Sequence, residues 1–127
     1  MEFDYTVNTT KDFDSAVESV QKETQDAGMR VLYVHDMQKT LAEKGFQRDP
    51  FKIIEVCHAK YAHEFLNADI KIGLCEPCKI NVYIKDGMTF ISAMRPIVLP
   101  QFFPQADLKN MPAEMDQMLR DIVDKAK

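Results

Sequence analysis

The sequence lacks several features that would place it in a specialised class of protein. It has only four glycines and six prolines in 127 residues, which excludes collagen-like and low-complexity chains. No apolar run approaches the roughly 18 residues that a membrane-spanning helix needs. The chain also does not begin with the basic stretch and apolar run of a signal peptide. We therefore expect one globular domain over residues 1–127, located in the cytoplasm.

An excess of basic residues is also missing. The 16 Lys and Arg are outnumbered by 20 Asp and Glu, which gives a net charge of −4. Proteins that bind nucleic acid or anionic membranes through electrostatics carry basic surfaces. We therefore expect neither nucleic acid nor a membrane as a partner. Three cysteines cannot pair completely in a disulfide framework, which agrees with a reducing compartment.

The hydrophobic pattern predicts an α+β domain. Alternation with a period of two predicts strands, and apolar residues three and four apart predict helices. A helix begins near Asp12 and Asp14 and ends at Gly28, where a left-handed stop is available. Three prolines exclude regular structure over 96–104, although this segment is apolar and must pack on something. The other predicted elements are strands over 2–7, 29–35 and 51–57, and helices over 36–41, 59–66 and 111–123, the last lined with methionines.

The clearest local signal is a β-hairpin at Asp86-Gly87, a dipeptide preferred in two-residue type I′ turns. Its register sets Cys78 opposite Arg95, where a cation should favour the thiolate over the thiol. The predicted pairs are Ile80 with Ala93, Val82 with Ile91 and Ile84 with Thr89 on the core face, and Asn81 with Ser92 and Tyr83 with Phe90 on the other face.

Soft ligand atoms are concentrated in one short segment. All three cysteines and two of the three histidines lie between Cys57 and Cys78, namely these two residues, His58, His63 and Cys75. Antiparallel pairing of the strands at the two ends of the segment could bring Cys57 within reach of Cys78. Thiolate and imidazole are the ligands that zinc prefers. A metal site would use Cys57, Cys75 and Cys78 with His58 or His63.

Three other interpretations of the cysteines stay open. A thioredoxin-type pair normally opens a helix, whereas Cys75-x-x-Cys78 runs into a predicted strand. A nucleophilic cysteine with a nearby histidine would need an oxyanion hole, and no sequence motif supplies one. In the simplest interpretation, Cys57 and Cys78 are small buried hydrophobes, and the two histidines are surface or capping residues.

The chain resembles the family known as domain of unknown function 302. The resemblance is carried by Phe51-Lys-Ile-Ile-Glu-Val-Cys57, by Ile72-Gly-Leu-Cys-Glu-Pro-Cys78, by the hairpin, and by Met94-Arg-Pro96. It implies a β-α-β(4)-α layout similar to the TATA-binding-protein-like fold, with an antiparallel sheet of four to five strands and helices packed on it. It also implies that Cys57 and Cys78 occupy the family's recurrent cysteine positions.

Two departures from the family pattern add ligand atoms to this chain. His58-Ala59 stands where the family commonly has Asn-Pro, and Cys75 stands where it has an apolar residue. A site in this chain can therefore differ from that of its relatives. The resemblance itself implies no activity, because a fold does not determine a function.

These observations predict a binding module in which Cys57, His58, Cys78 and Arg95 hold a small ligand, a metal, haem or a sulfur species. Zinc and haem are the candidate cofactors. The first alternative is a homo-oligomeric structural or interaction protein with packed cysteines, whose interface is the Tyr83 and Phe90 face, the Phe102-Phe103 loop or the methionine helix. The second alternative is a thiol-dependent enzyme. A homodimer is the expected assembly both for the binding module and for the structural or interaction protein.

Overall fold

The computed structural model describes residues 2–127, which form five strands and five helices. The first described element is a strand followed by a helix, and two more strand and helix pairs come before a β-hairpin and two final helices. The elements are β1 (Asp4–Thr9), α1 (Phe13–Asp26), β2 (Arg30–Asp36), α2 (Met37–Ala42), β3 (Phe51–Cys57), α3 (Ala59–Ala68), β4 (Cys78–Lys85), β5 (Met88–Met94), α4 (Leu99–Phe102) and α5 (Met111–Ala126), with 3-10 turns at Ile70–Leu74 and Pro96–Val98.

The strands form one antiparallel sheet in the order β1-β5-β4-β3-β2. The α+β fold predicted from the sequence is confirmed, and the sheet has five strands. The register of the hairpin is also confirmed, since Ile80 pairs with Ala93 and Tyr83 with Phe90. Asp86 and Gly87 have φ angles of 53° and 76°, as a type I′ turn requires at both central positions.

Helix α1 has the ends that the sequence predicts. The side chain of Asp12 accepts a hydrogen bond of 2.8 Å from the backbone N–H of Ser15, which satisfies a donor that has no partner inside the helix. After the helix, Gly28 adopts a φ of 80°, a conformation in which a side chain would be strained. Ala16 and Val20 are fully buried, so the apolar stripe of the helix faces the core.

The two faces of the sheet differ in their surroundings. We call the first the covered face, because its side chains form one buried cluster with α1 and α5; among them are Ile54, Val56, Ile80, Val82 and Ile91, each 0% exposed. We call the second the open face; it carries the alternate residues, among them Thr6, Asn81, Tyr83, Phe90 and Ser92, which are half-buried or exposed. The open face is therefore the side on which these strands retain access to solvent.

The segment 96–104 corrects one prediction. Regular structure was excluded there because of the prolines, yet the structure has a 3-10 turn at Pro96–Val98 followed by α4. Pro96 and Pro100 both occupy the first turn of their element, where a missing N–H costs no internal hydrogen bond. The prediction that the apolar segment packs on something is confirmed, because Val98 and Leu99 are buried and the turn contacts α5.

Helix α5 closes the covered face. Met111, Met115, Leu119 and Ile122 are buried on it, so the predicted methionine stripe is part of the core. Within residues 2–127, none of the helices combines the length and the apolar character needed to cross a bilayer.

Candidate functional site

The three cysteines lie at one end of the sheet. Cys57 ends β3 and Cys78 begins β4, and the residue opposite Cys78 in the ladder is Val56, so the two strands pair antiparallel as expected and Cys57 lies one position beyond the last pair. Cys75 follows the 3-10 turn three residues before Cys78. All three are free thiols and half-buried. Together with Glu76, which lies between them in the chain, we call these residues the thiol cluster.

Burial raises the pKa values of Cys57, Glu76 and Cys78 in the thiol cluster. It raises the pKa of the Cys78 thiol strongly, and the nearby Glu76, Cys57 and Cys75 add to this effect. Burial also raises the pKa of Cys57, and Glu76 adds to it. The pKa of Glu76 itself rises to about 7 through burial, because a charged carboxylate loses its hydration there. Its Oε1 atom lies 4.0 Å from the Sγ of Cys78.

The predicted role of Arg95 as a cation that favours the Cys78 thiolate is wrong. The β4–β5 ladder ends at Ile80 and Ala93, and the guanidinium of Arg95 turns to α5 instead. Its Nε and Nη2 atoms each donate a hydrogen bond of 3.1 Å to the carboxylate of Asp116, which is only 4% exposed. Arg95 thus forms a bidentate ion pair with Asp116, and this pair links the end of β5 to α5.

The histidines do not join the cysteines in a metal site. His58 precedes α3, its ring contacts Tyr61 edge to face with centroids 4.8 Å apart, and its Nδ1 atom is buried without a hydrogen-bond partner. The Nε2 atom of His63 lies 3.1 Å from the amide nitrogen of Asn67. Within residues 2–127, no three His, Cys, Asp or Glu side chains are grouped so that they could hold a metal ion. The predicted ligand set of Cys57, His58, Cys75 and Cys78 is therefore not assembled.

A groove of about 550 Å³ adjoins the thiol cluster. Its apolar walls come from three distant parts of the chain, namely Phe3 before β1, Leu74, Cys75 and Pro77 before β4, and Phe102 and Phe103 at the end of α4. Phe3, Leu74 and Phe102 are 59%, 86% and 65% exposed. Sequence reasoning missed this groove, because it placed Phe3 in a strand over 2–7 and Phe102-Phe103 in a possible oligomer interface, and these segments meet only in the folded chain.

Polar side chains of the open face form the floor and rim of the groove. The amide oxygen of Asn81 is buried and has no hydrogen-bond partner, and Lys79 and Asp4 are exposed beside it. The hydroxyl of Ser92 lies 2.8 Å from that of Tyr83 and 2.7 Å from that of Thr6. The Thr6 hydroxyl in turn donates to the carboxylate of Asp4. The groove lining therefore includes an unsatisfied amide and the hydroxyl of Ser92, which belongs to a chain of hydroxyl groups on the open face.

A second, much smaller cavity adjoins the thiol cluster and shares two lining residues with the groove. It has a volume of about 10 Å³, and Cys75, Glu76, Cys78, Met94, Pro96 and Leu99 line it. Cys75 and Met94 line the groove as well. Cys75 therefore stands between the groove on one side and the half-buried Cys78 on the other.

A polar cleft of about 580 Å³ lies on another part of the surface, between α3 and the start of α5. Its best-defined contact is a hydrogen bond of 2.6 Å that the Tyr61 hydroxyl donates to Glu114, and this bond raises the pKa of Tyr61. Lys60, Glu64 and Lys109 also line the cleft. Since its charged groups are of both signs and mostly exposed, the cleft has no dominant charge that would select a ligand.

Comparison with known proteins identifies the family. The family model described as domain of unknown function DUF302 matches residues 5–126. The crystal structure of an uncharacterized conserved DUF302 protein from Bacillus stearothermophilus superposes with a TM-score of 0.92 and 28% sequence identity, and the match covers 100% of both chains. Among proteins with curated descriptions, none matches this chain. The resemblance inferred from Val56-Cys57, Pro77-Cys78 and the hairpin is thereby confirmed, and the chain belongs to the DUF302 family.

Proposed function

We propose that the protein binds a small amphipathic anion in the groove beside the thiol cluster. The ligand would have an apolar body, a hydrogen-bond donor and a carboxylate or sulfonate end. This proposal retains the small-ligand binding module expected from the sequence, but it centres the ligand on the groove walls and on Cys75, with Cys57 and Cys78 behind them. The observation that carries it is the grouping of exposed apolar side chains around one concave surface.

The apolar walls supply the main driving force for binding. Single exposed hydrophobic side chains are common on proteins, but several around one concavity are typical of a binding site. Phe3, Leu74 and Phe102 are each more than half exposed. Removing apolar surface from water stabilises a complex by roughly 25 cal/mol per Å². A ligand with an aromatic or aliphatic body would cover all three side chains at once.

The polar groups of the groove suggest the rest of the ligand. A buried acceptor without a partner costs roughly 1–3 kcal/mol, and rotation of the Asn81 amide would bring its unpaired oxygen toward a ligand N–H or O–H. The exposed ammonium of Lys79 at the rim favours a negatively charged end. Asp4 disfavours an anion on its own side, so we expect the ligand's charge to lie toward Lys79.

The test uses 1-anilinonaphthalene-8-sulfonate (ANS), which has an aromatic body, an N–H donor and a sulfonate. Its fluorescence would be titrated against the wild type, Leu74→Ser and Ile70→Ser. Ile70 is a matched control, because it belongs to the same 3-10 turn and is 79% exposed, yet it does not line the groove. We expect Leu74→Ser to raise the Kd by about tenfold, which corresponds to roughly 1.4 kcal/mol of lost apolar contact.

Ile70→Ser should leave the Kd unchanged. Equal weakening by both substitutions, or fluorescence that does not saturate with the wild type, would contradict binding in the groove. Lys79→Met should weaken binding mainly at low salt, because an exposed charge is screened as ionic strength rises.

A further inference from the structure

We infer that Cys75 and Cys78 act together as a dithiol that reduces a small-molecule disulfide entering from the groove. In this reaction Cys75 attacks the disulfide and Cys78 resolves the product. The inference rests on the proposed function in one respect, since the disulfide must enter the same groove.

A small disulfide in the groove has access to Cys75 but not to Cys78. Cys75 lines both the groove and the small cavity, whereas Cys78 lines only the small cavity. The groove, at about 550 Å³, is within the usual size of small-molecule sites. A disulfide in the groove would therefore meet Cys75 first. The small cavity, at about 10 Å³, has room for about one water molecule, so the same disulfide could not reach Cys78 directly.

Cys78, and not Cys57, is the second thiol of the pair formed with Cys75. Cys75 and Cys78 are three residues apart, and their side chains line the same small cavity. Cys57 is the alternative partner, but it does not line that cavity. Val56, which pairs with Cys78, faces the covered side of the sheet, and adjacent strand residues point to opposite faces. Strand alternation therefore directs Cys57 to the other face of the sheet, although its thiol is near enough to Cys78 to raise the pKa of that thiol. The choice of Cys75 as partner thus rests on the small cavity that it shares with Cys78.

The chemistry balances with the small disulfide as the oxidant. The Cys75 thiolate attacks one sulfur of R–S–S–R, the S–S bond breaks, and one R–S⁻ leaves and takes up the proton that Cys75 released. Cys78 then loses its proton and attacks the Sγ of Cys75. The mixed disulfide breaks, and the second R–S⁻ leaves and takes up that proton. The small disulfide is reduced by two electrons to two thiols, and the Cys75–Cys78 pair is oxidised to a disulfide.

The test uses 5,5′-dithiobis(2-nitrobenzoate), an anionic aryl disulfide whose released thiolate is coloured. Under native conditions the wild type should release two aryl thiolates rapidly. Mass spectrometry should then show no retained adduct and the loss of two hydrogen atoms. Cys78→Ser should release one aryl thiolate and keep one adduct on Cys75. Cys75→Ser should lose the rapid phase, with release slower by about tenfold or more, because half-buried thiols without access react slowly.

Cys57→Ser decides between the two possible partners. If the rapid release of two thiolates and the loss of two hydrogen atoms persist in this variant, the assignment of Cys75 and Cys78 is supported. The inference is overturned if the wild type retains the mixed disulfide, or if a Cys57–Cys78 disulfide forms in Cys75→Ser. Circular dichroism of each variant checks folding, and Cys78→Ala replaces Cys78→Ser if the serine is not tolerated in its half-buried position.

ANS binding by the same preparations separates this inference from the proposed function. Protein that binds ANS in the groove but retains the aryl adduct would overturn the disulfide exchange alone. Protein that completes the exchange but does not bind ANS would overturn the proposed amphipathic ligand alone.

Discussion

The covered and the open face of the sheet are made by the same five strands but have different chemistry. On the covered face, side chains such as Ile54, Val82 and Ile91 are fully buried against the helices. On the open face, their neighbours in the chain include Asn81, with an unpaired amide oxygen, and Tyr83, whose hydroxyl lies 2.8 Å from that of Ser92. The comparison indicates that one face stabilises the fold and that the other offers chemical groups to a ligand.

The thiol cluster lies at the end of the sheet where these two faces meet. Cys78 pairs with Val56 at the limit of the covered face, and Cys75 reaches the groove that borders the open face. The core holds a site in this position in place, and the site still contacts solvent. The next three predictions test how sharply stability and binding are divided between the two faces.

The largest effect is expected on the covered face. Ile80 is 0% exposed, so Ile80→Ala removes buried methylene groups and leaves a cavity, which should lower the free energy of unfolding by about 3 kcal/mol. Urea denaturation would measure it. The neighbouring open-face substitution Lys79→Ala is the control and should change stability by less than about 0.5 kcal/mol. Equal losses for the two variants would remove the distinction between the faces.

An intermediate effect is expected where the faces meet. Burial raises the pKa of Glu76 from 4.5 to about 7 in the folded protein, so the folded state binds the proton more tightly than the unfolded state. The stabilisation that the folded state gains from binding this proton more tightly is complete below pH 4.5 and is lost as the pH rises through 7. Glu76→Gln keeps the shape without the charge and should stabilise the protein at pH 8 by about 1–2 kcal/mol, less than the full linkage value because Glu76 is partly exposed.

The measurement is the difference in the free energy of unfolding between Glu76→Gln and the wild type at pH 4 and at pH 8. The gain should be small at pH 4 and present at pH 8. A difference that does not change with pH would show that Glu76 titrates alike in the folded and unfolded states.

The smallest effect on stability is expected on the open face. The amide oxygen of Asn81 is buried without a partner, so Asn81→Ala removes a destabilising unsatisfied group but also the packing of the side chain. The net change in the free energy of unfolding should be a gain of no more than about 1 kcal/mol. The same substitution should weaken the binding of ANS, whose N–H would lose its acceptor. A large loss of stability with unchanged ANS binding would place Asn81 with the covered face instead.

Local patterns predicted the fold well. The span of β3, the hairpin register and the ends of α1 were all predicted from alternation, turn residues and caps, which act over a few residues. The segment 96–104 was predicted incorrectly, because each proline was taken to disrupt regular structure although Pro96 and Pro100 both fall in a first turn. The position of a proline within an element decides its effect, and that position was not evident from the sequence.

The candidate site was less predictable than the fold. The antiparallel pairing of the strands that carry Cys57 and Cys78 was predicted from the sequence and is confirmed. The partner of Arg95 was not predicted, because Asp116 lies 21 residues further along the chain and on a different element. The groove was missed for the same reason, since its walls join three separate segments. The homodimer and the cytoplasmic location stay predictions.

The hydroxyl chain on the open face has a fixed direction. A carboxylate oxygen accepts hydrogen bonds, so the Thr6 hydroxyl points its hydrogen to Asp4, which lies on the same edge strand. The oxygen of Thr6 then accepts from Ser92, and the oxygen of Ser92 accepts from Tyr83. The hydroxyl hydrogens of Tyr83 and Ser92 thus point from the centre of the sheet toward β1, and that of Thr6 points along β1 to Asp4. The phenol oxygen of Tyr83 keeps its lone pairs for an incoming donor, and a single carboxylate at the margin orients a row of dipoles that spans three strands.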